Sequence, residues 1–174
     1  MMKIVAASGN RGKLREIAEI FKGCEIVSMK DAGFSDDIEE TGATFEENAL
    51  LKARAVSMAG VYSARYAGGH GDDAANNALL LKNLAGVPEE KRTAYFESCV
   101  ALCFPDGREL TASGRTHGRI LFFPEGDNGF GYDPLFFSDD LKKSFGTADA
   151  EEKNAVSHRA RALAALAEKW GEML

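Results

Sequence analysis

Apolar positions along the chain switch between two periods. "KIVAA" (3–7) is a short β-branched run that stops at Ser8-Gly9-Asn10, the pattern of a buried strand followed by a turn. In "RGKLREIAEIFKG" the spacing lengthens: Leu14, Ile17, Ala18 and Phe21 fall on one helical face, and Gly23 supplies a stop. "EIVSM" returns to a strand. Thr44-Phe45-Glu46-Glu47 reads as a capping box, with carboxylates for the helix start, and opens a helix with Phe45, Ala49, Ala53 and Val56 on one face. "DAANNALLLKNLAG" is a further helix closed by glycine.

The middle of the chain alternates instead. In "TAYFESCVALCF", Phe96, Val100, Leu102 and Phe104 share a face; "PDG" turns the chain, and "RELTASGRT" pairs back as the second arm of a hairpin. "GRILFF" is expected to add a third strand. The C-terminal stretch is helical, with Leu163, Leu166, Ala167 and Trp170 in one stripe. Strands interrupted by helices, plus one long hairpin, predict an α/β fold with a mixed sheet and helices packed on it. No internal repeat or linker divides the 174 residues, so a single domain over 1–174 is expected.

Composition narrows the class. Hydrophobic residues make up 45% and charged residues 28%, as in ordinary soluble domains. No apolar run approaches the roughly 18 residues of a membrane span, and "MMKIVAASGN" does not read as a signal peptide. Cys24, Cys99 and Cys103 lack metal-ligand spacing and are expected to be structural, with Cys99 and Cys103 on the same side of a strand as small buried groups; a reducing cytoplasm follows. The net charge of −6 argues against a nucleic-acid polymer as partner. A small anion, needing only a local cationic pocket or a metal, remains compatible.

Four clusters offer chemistry. Ser8-Gly9-Asn10-Arg11-Gly12-Lys13 joins a strand end to a helix start, where unpaired amides and the helix dipole favour a phosphate and Lys13 adds a charge. A Gly-Asn turn with a solvated lysine explains the same residues. Glu39-Glu40-Thr41-Gly42 could hold a hard divalent cation or be a solvated acidic loop. "NGFGYDP" (128–134) places Phe130, Tyr132 and Asp133 in a loop able to stack on a planar base and accept hydrogen bonds from its edge; a turn whose aromatics cap the core is the alternative. In "EKNAVSHRARAL", Ser157 as a cap sets His158 and Arg159 in the first turn of a helix. Cations there oppose the dipole unless an anion is present, which favours a binding role over plain surface charge, and Lys153 fits the same pocket.

"ASGNRGKLREI", "EETGATFEENALLKARA", "GVYSARYAG", "NGFGYDPLFF" and "EEKNAVSHRARAL", in this order, resemble the inosine triphosphate pyrophosphatase family. The resemblance implies an elongated two-lobed α/β fold with a central mixed β-sheet, Mg²⁺ dependence and a homodimer. It implies cleavage of the α–β anhydride of deaminated purine nucleotides (dITP, ITP, XTP) to a monophosphate and pyrophosphate. Ser8, Gly9, Asn10, Arg11, Gly12 and Lys13 would line the triphosphate, Lys52 would face the phosphates, and Glu40 would help hold Mg²⁺. Phe130, Gly131, Tyr132 and Asp133 would cover and read the base. Lys153, His158 and Arg159 would contact its edge, where a 6-keto purine and an adenine present opposite hydrogen-bonding groups.

One departure stands out. In the family, the helix corresponding to the one ending near Ala59 is followed by a strand and an Asp-Asp-Ser-Gly turn, which supplies the general base and a second carboxylate for Mg²⁺. Here Ala59 runs directly into Gly60, and by ordinary element lengths roughly 20 residues are missing. Asp72-Asp73 is no substitute, since Ala74-Ala75 follow it; it reads as a helix cap. The catalytic base is therefore unknown. The readings that follow are an active pyrophosphatase whose segment is present in the molecule or functionally replaced, a nucleotide-binding remnant without turnover, or a deletion product that misfolds. Arg65 reads as a packing residue.

Overall fold

The computed structural model describes residues 2–32, 41–56, 73–104 and 106–173; for Met2, Ala55 and Val56 the backbone alone is described. Its elements run β1 (Met2–Ala6), α1 (Arg11–Ile20), β2 (Cys24–Ser28), α2 (Phe45–Val56), α3 (Asp73–Asn83), β3 (Thr93–Cys103), β4 (Glu109–Ile120), β5 (Phe136–Ser138), β6 (Lys143–Ser144), α4 (Ala150–Val156) and α5 (His158–Gly171). The fold class is α/β, with sheets flanked by helices. Among the described residues the strands form two sheets, β1-β2 and β3-β4-β5-β6. No described helix is long and apolar enough to cross a membrane.

Two compact units divide these elements. One holds β1, α1, β2, α2, α5 and the turn-proximal parts of β3 and β4 (98–103 and 109–114). Its β1 and β2 pair in parallel from Met2↔Cys24 to Ala6↔Ser28, joined by α1. Parallel neighbours need such a crossover because no tight turn can connect them. The predicted helical faces meet in the core of this unit: Phe21, Leu163, Leu166 and Trp170 are buried together with Ala112, and Ile17, Val100, Leu102 and Phe104 pack around them. The Phe21 and Trp170 rings lie 5.4 Å apart. Gly114 of β4 is where α5 comes closest, since a Cβ there would run into the His158 carbonyl and the Ala162 amide.

The other unit holds α3, residues 93–97 of β3, residues 115–120 of β4, and β5, β6 and α4. Leu135, Phe136 and Phe145 are fully buried, and Phe96 packs on Phe136 at 4.5 Å between centroids. Phe96 thus shares its strand face with Val100 and Leu102 but serves a different core. Arg92 is buried and donates to three backbone carbonyls, those of Leu84, Ile120 and Leu121, at 2.8–3.0 Å.

Several expectations are corrected. "GRILFF" is not a separate third strand: burial alternates without a break from Ala112 to Gly118, so its first residues extend β4 to Ile120. The third strand is β5, antiparallel to β4 with Ile120 opposite Phe136. Phe45 is 58% exposed rather than packed, leaving Ala49 as the buried member of its expected face. The C-terminal helix is interrupted at Ser157, which is extended (φ −66°, ψ 151°), caps the end of α4 and immediately precedes α5. Cys99 and Cys103 are half-buried rather than buried, and Cys103 lies 3.6 Å from Glu109 Oε1; burial pushes its thiol pKa up.

Candidate functional site

In the first unit, α1 begins on a locally built turn. The Asn10 side chain accepts from the Lys13 amide at 3.1 Å and is the N-cap, while the Asn10 amide donates to Ser8 Oγ at 3.2 Å. The next two amides, of Arg11 and Gly12, hold the first helical positions, which have no acceptor within a helix. A Cβ on Gly9 would meet nothing within 4 Å, and its backbone is outside the left-handed region. The fold itself does not require glycine at this position.

Arg159 has a partner inside the same unit. It donates from Nε to Glu16 Oε2 at 2.7 Å and from Nη2 to Glu16 Oε1 at 2.9 Å, and both side chains are nearly buried. The cation near a helix N-terminus, which suggested a bound anion, is thus answered by the carboxylate of α1. His158 is half-buried as the first residue of α5.

Also in this unit, α2 opens on a tightly specified turn. Thr44 Oγ1 accepts from the Glu47 amide at 3.0 Å, and Glu47 Oε2 accepts from the amides of Ala43 and Thr44. Glu46, expected to cap as well, instead accepts from Thr111 Oγ1 at 2.7 Å. Asn48 accepts from the Gly42 amide at 2.9 Å and donates to its carbonyl at 3.1 Å, pinning the peptide after Thr41. Lys52 lies half-buried on α2. Arg54, one turn from the end, makes a paired contact with Glu109 at 2.6 and 2.7 Å, which lowers the Glu109 pKa.

In the second unit, the loop 128–134 is fixed from within. Asp133, 4% exposed, accepts from the Phe130 amide at 2.7 Å and from Lys153 Nζ at 2.5 Å through the same oxygen. Gly129 has φ +80°, and a Cβ on it would collide with the Asp133 carboxylate, so only glycine fits. Asn128 donates to the Ala148 carbonyl at 3.1 Å. Phe130 is left 39% exposed, with Lys153 Nζ 4.9 Å from its ring centroid. Asp133, expected to accept from a base, organises its own loop through Oδ2. Tyr132 precedes the short helical turn at Asp133–Leu135 and is half-buried.

The structure thus brings Lys153 to Phe130 and Asp133, and Arg159 to α1. Glu39, Glu40, the 59/60 junction, Arg65 and Asp72 lie outside the described residues. Among the described residues no group of three His, Cys, Asp or Glu side chains could hold a metal ion, so they do not by themselves fit Mg²⁺.

The profile of the Ham1 family matches this chain in two stretches, residues 4–60 and 56–169. The chain belongs to the Ham1 family. A dITP/XTP pyrophosphatase of Geobacter sulfurreducens is 45% identical over 194 aligned positions, covering 98% of each chain. One of Thermoanaerobacter pseudethanolicus is 46% identical over 185 positions, covering 93% of each. Among solved structures, the Staphylococcus aureus Ham1 protein superposes with a TM-score of 0.84 at 34% identity, covering 98% of this chain and 99% of that one.

These alignments also measure a gap. Ninety-eight per cent of 174 residues is about 171, so about 23 of the 194 positions shared with the Geobacter protein carry no residue of this Ham1 chain. Ninety-three per cent is about 162, leaving about 23 of the 185 for the Thermoanaerobacter protein. The two stretches of the family match meet at residues 56–60. That is where Ala59 runs into Gly60.

Sequence reasoning passed over Glu16, Asn48 and Arg92. For Glu16 no local signal existed: its burial on α1, which calls for a cation, is visible only in the fold. Arg92 and Asn48 bond mainly to backbone groups, which leave no pattern in side-chain identity.

Proposed function

We infer that this Ham1 protein is a nucleoside triphosphate pyrophosphatase acting on non-standard purine nucleotides such as dITP, ITP and XTP. Hydrolysis of the α–β anhydride gives the monophosphate and pyrophosphate and removes deaminated purines from the nucleotide pool. The observation that carries this reading is the loop of Phe130: an exposed ring, backed by the Lys153 ammonium and held by buried Asp133, in a chain 45% identical to a dITP/XTP pyrophosphatase along nearly its whole length. A ring so placed offers a stacking surface for a planar base. In the first unit, the amides that open α1 offer donors to phosphate oxygens, and the open space beside Gly9 leaves room for them. A homodimer, a cytoplasmic location and Mg²⁺, with Glu40 among its ligands, belong to the same reading. The described residues do not complete a metal site, so no step is assigned to the ion.

A second reading is favoured by the roughly 23 aligned positions that carry no residue of this chain, beside a family match that breaks at residues 56–60. The resemblance places the general-base turn there, so the chain would bind the nucleotide without turning it over. Incubation with dITP or dATP and Mg²⁺, with pyrophosphate release and nucleotide binding measured side by side, separates the two. Release from dITP but not dATP supports the pyrophosphatase. Selective binding of dITP without release selects the second reading, and the absence of both refutes the two together.

A further inference from the structure

α3 stands outside every residue assigned above, yet two of its side chains close on the loop that carries Phe130. Asp73, the first residue of α3, accepts from the Gly131 amide through Oδ2 at 2.7 Å. Asn77, one turn later on the same face, donates from Nδ2 to the Gly131 carbonyl at 3.1 Å. The two residues therefore grip the peptide groups on both sides of a single glycine. Gly131 has φ +64°, a conformation that side chains rarely adopt, and a Cβ there would meet open space. Nothing in its own packing fixes its backbone.

Asn77 carries a second sign of its task. Its Oδ1 is buried and finds no hydrogen-bond partner among the described residues. Turning the amide over would face oxygen to oxygen at the Gly131 carbonyl. The side chain is thus held in an orientation that leaves one buried acceptor unsatisfied, at a cost in stability. A glycine peptide between two aromatic residues is the most adjustable link in the loop. The internal ties from Asp133 reach the Phe130 amide and Lys153 but not the Gly131 carbonyl.

We propose that Asp73 and Asn77 are positioning residues for purine recognition: by clamping the Gly131 peptide they set the relative orientation of Phe130 and Tyr132. This rests on the nucleotide-binding role inferred for the loop. They touch no substrate themselves. Their effect is to hold one loop conformation in the free protein, so that nucleotide binding does not have to order it.

The test compares binding of dITP and dATP by calorimetry to the wild-type chain, Asp73→Ala, Asn77→Ala, the double variant and Asp73→Asn, with thermal unfolding measured for each. Asp73→Ala is expected to weaken dITP binding by about tenfold, the scale of one hydrogen bond to a charged group, and Asn77→Ala, which loses a neutral one, by about threefold to fivefold. The double variant falls short of the product of the two effects, because both residues restrain the backbone of one glycine. Asp73→Asn, which keeps an acceptor, recovers most of the loss. Binding of dATP changes little, so the dITP:dATP ratio narrows, which a merely structural contribution to stability would not produce. Unchanged dITP affinity and ratio in folded Asn77→Ala and in the double variant overturn the clamp while leaving the nucleotide reading intact. A wild-type chain that binds neither nucleotide overturns the proposed function, and this inference with it.

Discussion

Arg159 and Glu16 form a two-point ion pair that ties α5 to α1: Nε to Oε2 at 2.7 Å and Nη2 to Oε1 at 2.9 Å. The side chains are only 13% and 11% exposed, so neither charge has water to fall back on. The carboxylate also answers the conflict between a cation and the N-terminal end of a helix. Removing Glu16 takes a two-point carboxylate partner from a nearly buried guanidinium. Glu16→Ala is expected to cost about 3 kcal/mol in urea unfolding, and the double change Glu16→Leu with Arg159→Met distinctly less. A double variant as unstable as the sum of Glu16→Leu and Arg159→Met made singly would mean that the pair is not coupled.

Gly9 gives the opposite expectation, a change that the fold tolerates and the ligand does not. Because a Cβ at this position meets nothing within 4 Å and the backbone is not left-handed, Gly9→Ala should leave the melting temperature unchanged or slightly raised. A methyl group in the turn before α1 blocks a phosphate from the amides, and dITP affinity should fall by about tenfold, the worth of one hydrogen bond to a charged group. Unaltered affinity would remove the turn from the phosphate site.

The elements of the fold were readable where one physical signal dominated. Leu163, Leu166 and Trp170 at helical spacing led to the core, as did Ile17 and Phe21, because apolar periodicity reports burial directly. The Thr44–Glu47 box was legible because both of its partners lie within four residues. What failed was non-local. The length of β4 depends on β5 lying beside it, and the exposure of Phe45 depends on which residues α2 meets. The candidate site was legible as residue types and not as partnerships: Lys153 and Arg159 looked alike in sequence, yet one holds Asp133 and the other Glu16. Ion pairs between residues 20 and 143 positions apart have no local signature.

Acid should loosen α4 at its start. Asp149 and Glu152 form a reciprocal cap, and Glu152 also accepts from Lys143 Nζ at 2.6 Å on both oxygens. The Lys143 hydrogen bond, then the Asp149 amide, hold the Glu152 carboxyl below its ordinary value. A depressed carboxylate contributes stability that is complete above its unfolded-state pKa, about 4.3, and lost as the pH falls through the lower folded value. The melting-temperature difference between the wild type and Glu152→Gln should therefore be constant near neutrality and shrink below about pH 4.3. A difference that persists unchanged to pH 2 contradicts the assignment.

The junction at Ala59-Gly60 allows the most direct test of catalysis. The alignments leave about 23 positions of the relatives without a counterpart in this chain, and the family match breaks at residues 56–60. The Phe130 loop and the turn before α1 lie in stretches that still match, so under the proposed function an absent segment is expected to affect chemistry more than recognition. Grafting the corresponding segment of the Geobacter protein between Ala59 and Gly60 is expected to raise kcat for dITP by about 10²-fold or more, the typical contribution of a positioned general base. KM should change far less, since groups that act only in the transition state do not alter ground-state binding. If the ungrafted chain already hydrolyses dITP as fast as the Geobacter enzyme, the missing positions carry no catalytic group, and the base must be sought among the residues this chain retains.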